Sequence, residues 1–240
     1  MSVIEDGFFS SRARVTVITP TLARRVEKLV VAAASVKAQT FQQWRHLIIS
    51  DGPPVDPDVD SYGFQALRRT IDWRTHGMFL GAHHETPGHW NRLLGGLLAE
   101  TPYVAYLDDD NTWRPRHLEL AVRALDEHPE VGFVYPRMQR PEGDVLGTDP
   151  LRVGRCINYI DASMLVHRRE LLSEVATWDP HQAPEHLRYA LDGFVVQKWL
   201  IAGVRYVQIP EITVDYSGVG YWLDGGGAPQ LAPDSLGEVH

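Results

Sequence analysis

The segment YVAYLDDDN, residues 103–111, ends an apolar run in three adjacent carboxylates, Asp108, Asp109 and Asp110. Like charges a few ångströms apart repel by about 1 kcal/mol in water and about 4 kcal/mol near a protein surface. Such a cluster therefore calls for a compensating partner. Along an extended backbone Asp108 and Asp110 point one way and Asp109 the other. Two converging carboxylates suit a hard divalent cation such as Mg²⁺ or Mn²⁺, and such a cation in turn suits a pyrophosphate. The triplet is equally compatible with a solvated acidic turn ahead of the helix that Pro115 opens. Asp51, in Ser50-Asp51-Gly52, ends a second apolar run; it is either a turn residue or a carboxylate that accepts the imino N–H of a base such as uracil. Thr19-Pro20-Thr21 ends a third run and by itself reads as a strand-ending turn.

These three polar ends need a frame that brings them together. Short β-rich runs lie at 14–19, 44–50, 103–107, 131–135, 162–167 and 204–210. Between them, helical spacing of apolar residues appears after Ala23 (Val26, Leu29, Val30, Ala33), over 91–100 despite Gly95 and Gly96, and after Pro115 (Leu118, Val122, Leu125). A further helix spans 191–203, with Gly203 as its stop. Alternating strands and helices predict an α/β fold, a mainly parallel sheet flanked by helices. In such a sheet ligands bind beyond the carboxyl ends of the strands, which would put all three polar ends on one edge.

The 240 residues allow one large domain, and the composition, 44% hydrophobic and 22% charged, is that of a globular chain. One cysteine, Cys156, excludes an internal disulfide framework and fits a reducing compartment. A formal charge of −8 argues against general affinity for nucleic acid. No stretch has the length of a membrane span, and the first residues lack the apolar core of a signal peptide, so the expectation is a cytoplasmic protein. Seven Trp and nine Tyr are mostly core residues, although sugar rings also lie on such faces. His83, His84 and His89 match no zinc-ligand spacing. The Gly- and Pro-rich tail from 217, with Tyr221 and Trp222 embedded, is either a lid over a site or disordered.

The ordered set VTVITPTLAR, LIISDG, NRLLGGLLAETPYVAYLDDDN and YALDGFVVQKWLIAG resembles the family-2 glycosyltransferases, inverting enzymes with the GT-A fold. TWDP, 177–180, stands where that family often has a Gly-Phe-Asp-Glu-like stretch. The resemblance covers about residues 14–216, with an N-terminal extension before it and the tail after it. It implies that Thr19, Pro20 and Thr21 cradle the nucleoside and that Asp51 binds the base. Arg92 would lie by the nucleotide, although Asn91 precedes it where the family's asparagine follows the arginine. Asp108 to Asp110 match the DXD segment: Asp110 would be the main metal ligand, assisted by Asp108, with Asp108 and Asp109 also near the ribose. Asp192 matches the general base, although Leu191 replaces the family's usual glutamate before it. Asp161 would sit beside the donor sugar, and Trp222 would reach the donor or acceptor.

The implied reaction is a single in-line displacement from a nucleoside-diphosphate sugar, by default a UDP-sugar, to a hydroxyl of a glycan or glycosylated small molecule, helped by Mn²⁺ or Mg²⁺. It needs one base for the acceptor proton and one electrophile for the leaving diphosphate. Asp192 is alternatively a helix cap, and Asp161 an ordinary strand-start residue. Two other functions compete. A sugar-phosphate nucleotidyltransferase would want a Gly-rich phosphate loop, which TPTLARR lacks. A non-catalytic nucleotide-sugar-binding domain would bind donor without turnover.

Overall fold

The computed structural model describes residues 13–21, 26–50, 75–79, 88–156, 159–175 and 177–217. Asp51, His83, His84 and Trp222 lie outside them, as does the tail from 218. The first strand, β1 (Val15–Thr21), is buried along its whole length, as are the seven residues of β2 (Trp44–Ser50). Such continuous burial is what a strand paired inside a parallel sheet and covered on both faces requires. The other strands are β3 (Thr75–Phe79), β4 (Tyr103–Tyr106), β5 (Thr112–Trp113), β6 (Val131–Gln139), β7 (Val145–Leu146), β8 (Val166–Arg168) and β9 (Arg205–Asp215). Their order is β3-β2-β1-β4-β8-β6-β9-β5, with β7 on β6. The four parallel ladders carry four to eight residue pairs each. The four antiparallel ones carry two or three. The expected mainly parallel α/β sheet is therefore borne out, with β8 inserted antiparallel between two parallel halves.

Helices α1 (Val26–Lys37), α2 (His89–Leu98), α3 (His117–Glu127), the short α4 (Leu171–Glu174) and α5 (Leu191–Ile201) flank the sheet. The two glycines inside α2 have a packing reason. A methyl group on Gly95 would stand 2.7 Å from Ile18 of β1, and one on Gly96 would stand 2.6 Å from Leu172. Among the described residues the large side chains Trp44, Trp178, Trp199, Tyr106, Tyr135 and Phe133 are fully buried. Most of the described tryptophans thus serve the core. No described helix is long and apolar enough to cross a membrane.

Three of the boundaries that differ from expectation have a clear local reason. β1 continues through Pro20 to Thr21, because β4 pairs only as far as Ile18. Ile18 faces β4, accepting the N–H of Leu107, so the missing N–H of Pro20 falls on the side where β4 has already ended. Residues 162–164 form a 3₁₀ turn instead of a strand, since the Asp161 side chain accepts the N–H of Ser163 and caps it. β9 runs past Pro210 to Asp215, the proline being absorbed in a register shift against β6 between Pro136 and Arg137. That extension brings Asp215 opposite Thr112, beside the acidic turn.

Candidate active site

β1, β2 and β4 run parallel, so their polar carboxyl ends share one edge of the sheet. After β4 the chain does not stay extended: the N–H of Asn111 bonds the carbonyl of Asp108 at 3.1 Å and closes a turn. The three aspartates nevertheless diverge. Asp108 pairs with Arg92, Asp109 accepts the Thr21 hydroxyl at 2.6 Å, and Asp110 lines a cleft. Thr21 and Asp109 thereby tie the end of β1 to the acidic turn. Thr19 is fully buried, its hydroxyl within 2.8 Å of His46 Nε2.

Arg92 enters from α2. Its side chain is only 8% exposed, and its guanidinium lies over the Trp178 ring, 5.2 Å from the centroid. Burial works against its charge, but Asp108, and then Asp192 and Asp161, more than compensate and hold it firmly protonated. Its Nε has no hydrogen-bond partner among the described residues. Gly88, at φ 72°, lets α2 begin here: a side chain would meet Pro20 at 2.9 Å and the Arg92 guanidinium at 3.0 Å. His89 lies one turn away, its Nδ1 3.4 Å from Arg92 and its Nε2 2.7 Å from the carbonyl of Arg188. Desolvation and the Arg92 charge push this imidazole down to about 3. The neutral ring donates from Nε2 and accepts at Nδ1, so both nitrogens are engaged within the fold.

Asp192 stands in the first turn of α5 and accepts the N–H of Gly193 at 2.8 Å. Desolvation raises its carboxyl to about 6, partly opposed by backbone N–H groups and by Arg92. Asp161 is raised too, first by desolvation and then by the charges of Asp108 and Asp192. Tyr216, just past β9, is shifted up by burial and by Asp161, Asp110 and Asp108. The structure thus brings Arg92, Asp108, Asp161 and Asp192 into one electrostatic cluster, in which three carboxylates face one guanidinium.

Asp110 lines a cleft of about 390 Å³ together with Glu27, Lys28, Val31, Thr112, Asp215, Tyr216 and Ser217. Among the described residues no three His, Cys, Asp or Glu side chains are arranged as a metal cage. Trp178, His89 and Tyr216 are site residues that sequence reasoning did not assign. TWDP pointed to the neighbourhood of Trp178, but only the fold puts its ring under Arg92.

A family model described as "Glycosyl transferase family 2" matches residues 16–177. The chain is 30% identical over 116 residues to "Succinoglycan biosynthesis protein ExoW" of Rhizobium meliloti (strain 1021), an alignment that covers 47% of this chain and 34% of that protein. It thus spans about a third of the curated relative it matches. Among solved structures it is similar to S. aureus TarS 1-349 in complex with UDP, with a TM-score of 0.61 at 18% identity, covering 84% of this chain and 60% of that one. It is also similar to the mannosyltransferase PcManGT from Pyrobaculum calidifontis in complex with GDP-Man and Mn²⁺, with a TM-score of 0.58 at 17% identity, covering 87% of this chain and 58% of that one. With the order of its elements, the parallel β1–β2–β4 edge and the family match over most of the described sheet, the chain has the GT-A-type fold and belongs to glycosyl transferase family 2.

Proposed function

We propose that this protein transfers a sugar from a nucleoside-diphosphate sugar to an acceptor hydroxyl with inversion at the anomeric carbon. The observation that carries the proposal is Asp192, a half-buried carboxyl raised to about 6 by desolvation beside the Arg92–Asp108 pair. A group of that basicity is ionised near neutral pH and still accepts a proton readily, as a general base must. In the single displacement, Asp192 takes the proton of the acceptor hydroxyl. The acceptor oxygen forms its bond to the anomeric carbon as the bond to the diphosphate oxygen breaks, and the diphosphate leaves with the electron pair. Arg92, held by Asp108 and Trp178, places a fixed positive charge near the end of β1 where the nucleotide is expected. The similar structures of TarS, in complex with UDP, and of PcManGT, in complex with GDP-Man and Mn²⁺, support a nucleotide-sugar donor without choosing the base.

The donor set suits a divalent cation. Asp108, Asp161 and Asp192 outnumber the Arg92 charge, and Asp110 adds a fourth carboxylate facing the cleft. Hard oxygen ligands of this kind favour Mg²⁺ or Mn²⁺, which complete their shell with substrate phosphates. Asp110, with Asp108 beside it, would hold the ion, and a bound cation supplies positive charge to a departing diphosphate. Thr21 reaches Asp109 and so anchors the turn against the strand end proposed to cradle the nucleoside. Asp161 is proposed to lie beside the donor sugar.

A thermal-shift panel of UDP, GDP and dTDP, with and without Mn²⁺, tests this function. One nucleotide should raise the midpoint strongly only with Mn²⁺, and Asp110→Asn should abolish the Mn²⁺-dependent part. At one hundred times the dissociation constant the gain is about 2.7 kcal/mol. No stabilisation by any of the three would refute the donor class.

A further inference from the structure

Ser163 is fully buried in the 3₁₀ turn between Asp161 and β8, more than fifty residues from the acidic turn in sequence. Its Oγ accepts the backbone N–H of Asp108 at 3.2 Å and the side-chain amide of Asn111 at 2.9 Å. These are the two ends of the turn that carries Asp109 and Asp110. The Asp161 carboxylate accepts the Ser163 backbone N–H at 2.8 Å. The Ser163 carbonyl accepts the indole N–H of Trp113 at 2.8 Å. On its far side Asn111 accepts the N–H of Ser217 at 3.4 Å, and Ser217 lines the same cleft as Asp110. One residue therefore closes both ends of the acidic turn with its hydroxyl and ties it to Asp161 with its backbone N–H, and through Asn111 to the segment after β9.

We propose that Ser163 is the positioning residue that fixes the shape of the acidic turn 108–111 and so aims Asp110 into the cleft. Two accepted bonds on one oxygen use both lone pairs of a serine hydroxyl. An alanine in its place leaves a buried N–H and a buried amide without partners, a loss felt as local loosening. The proposal rests on the metal-assisted reading for its consequence, though not for the geometry itself.

Two substitutions and two readouts test it. Ser163→Ala removes the hydroxyl, and Ser163→Cys fills the same space with a weak hydrogen-bonding group. Hydrogen exchange on the ligand-free protein reads the positioning directly. The amides of Asp108 to Asn111 should lose protection in both variants, while β4 keeps its own. Calorimetry of the nucleotide picked out by the panel reads the consequence, as the ratio of its affinities with and without Mn²⁺. That ratio should fall about tenfold in both variants, the effect of losing one well-made hydrogen bond. A merely structural serine would lower the melting point and leave the ratio and the local protection alone. Unchanged protection of 108–111 in both variants overturns the proposal, as does full recovery by cysteine, which would make Ser163 a space filler. A wild-type protein that binds no nucleotide at all instead sinks the sugar-nucleotide function, and the exchange measurement still decides the role of Ser163.

Discussion

Replacing Asp192 by asparagine should make the protein more stable and much less active, and the two effects follow from one cause. Burial raises the carboxyl from 3.8 to about 6. The folded state therefore holds this proton more tightly than the unfolded chain does. Stability from this group is fully present below 3.8 and is lost as pH rises through about 6. At about 1.4 kcal/mol per pKa unit, the ionised carboxylate costs the wild type about 3 kcal/mol at pH 8 and roughly half of that at pH 5. The substituted amide would carry no charge and would keep an oxygen for the Gly193 N–H, now 2.8 Å from Asp192. The Asp192→Asn variant should gain about 3 kcal/mol at pH 8, on the order of 6–12 °C in midpoint for a chain of this size. The gain should shrink toward pH 5. Urea unfolding of both proteins at pH 5, 6, 7 and 8 measures it. The same substitution should lower turnover about 10²–10⁴-fold with donor affinity unchanged. A variant less stable than wild type at pH 8, or a gain that does not vary with pH, would refute the picture of a strained, desolvated base. A simple helix cap would give only a small loss of stability.

Further outcomes follow from the neighbours of Asp192. Asp108→Ala strands the buried Arg92 guanidinium and should cost about 3–5 kcal/mol in denaturant unfolding, with Asp108→Asn milder because it still accepts a hydrogen bond. Gly95→Ala puts a methyl group 2.7 Å from Ile18 and should destabilise by about 1–3 kcal/mol, read as a lowered urea midpoint without loss of the nucleotide site. Asp51→Ala should weaken the preferred nucleotide by about 1.5–3 kcal/mol and blur the choice of base, measured by calorimetry across UDP, GDP and dTDP; wild-type affinity for all three would leave Asp51 a turn residue.

Much of the frame is written locally. The runs VTVIT, WRHLIIS and YVAYL are mostly apolar and buried throughout because both their faces are covered, and their polar terminators mark the ligand edge. Elements whose limits depend on distant partners are less legible. β8 has three residues, and nothing in VHR tells that it lies antiparallel between β4 and β6. Pro210 looks like a stop until β6 is seen to accept a bulge there. The site divides in the same way. Asp108, Asp110, Asp161, Asp192 and Arg92 stand out by type and by family resemblance, and four of them meet in one cluster. The alternation expected for Asp108 to Asp110 assumed extended chain, whereas a turn closes there. Trp178, His89, Tyr216 and Ser163 act through contacts made across the fold, with no spacing to announce them.

The stereochemistry of transfer reports most directly on a single displacement with Asp192 as base. With the donor chosen by the nucleotide panel and an acceptor found by screening glycans and glycosides with Mn²⁺, the anomeric proton of the product can be followed by NMR from the first turnovers. A single base at Asp192 and no nucleophile predict a product of inverted configuration. A product that retains the donor's configuration would contradict the mechanism, however well every binding and stability result agreed.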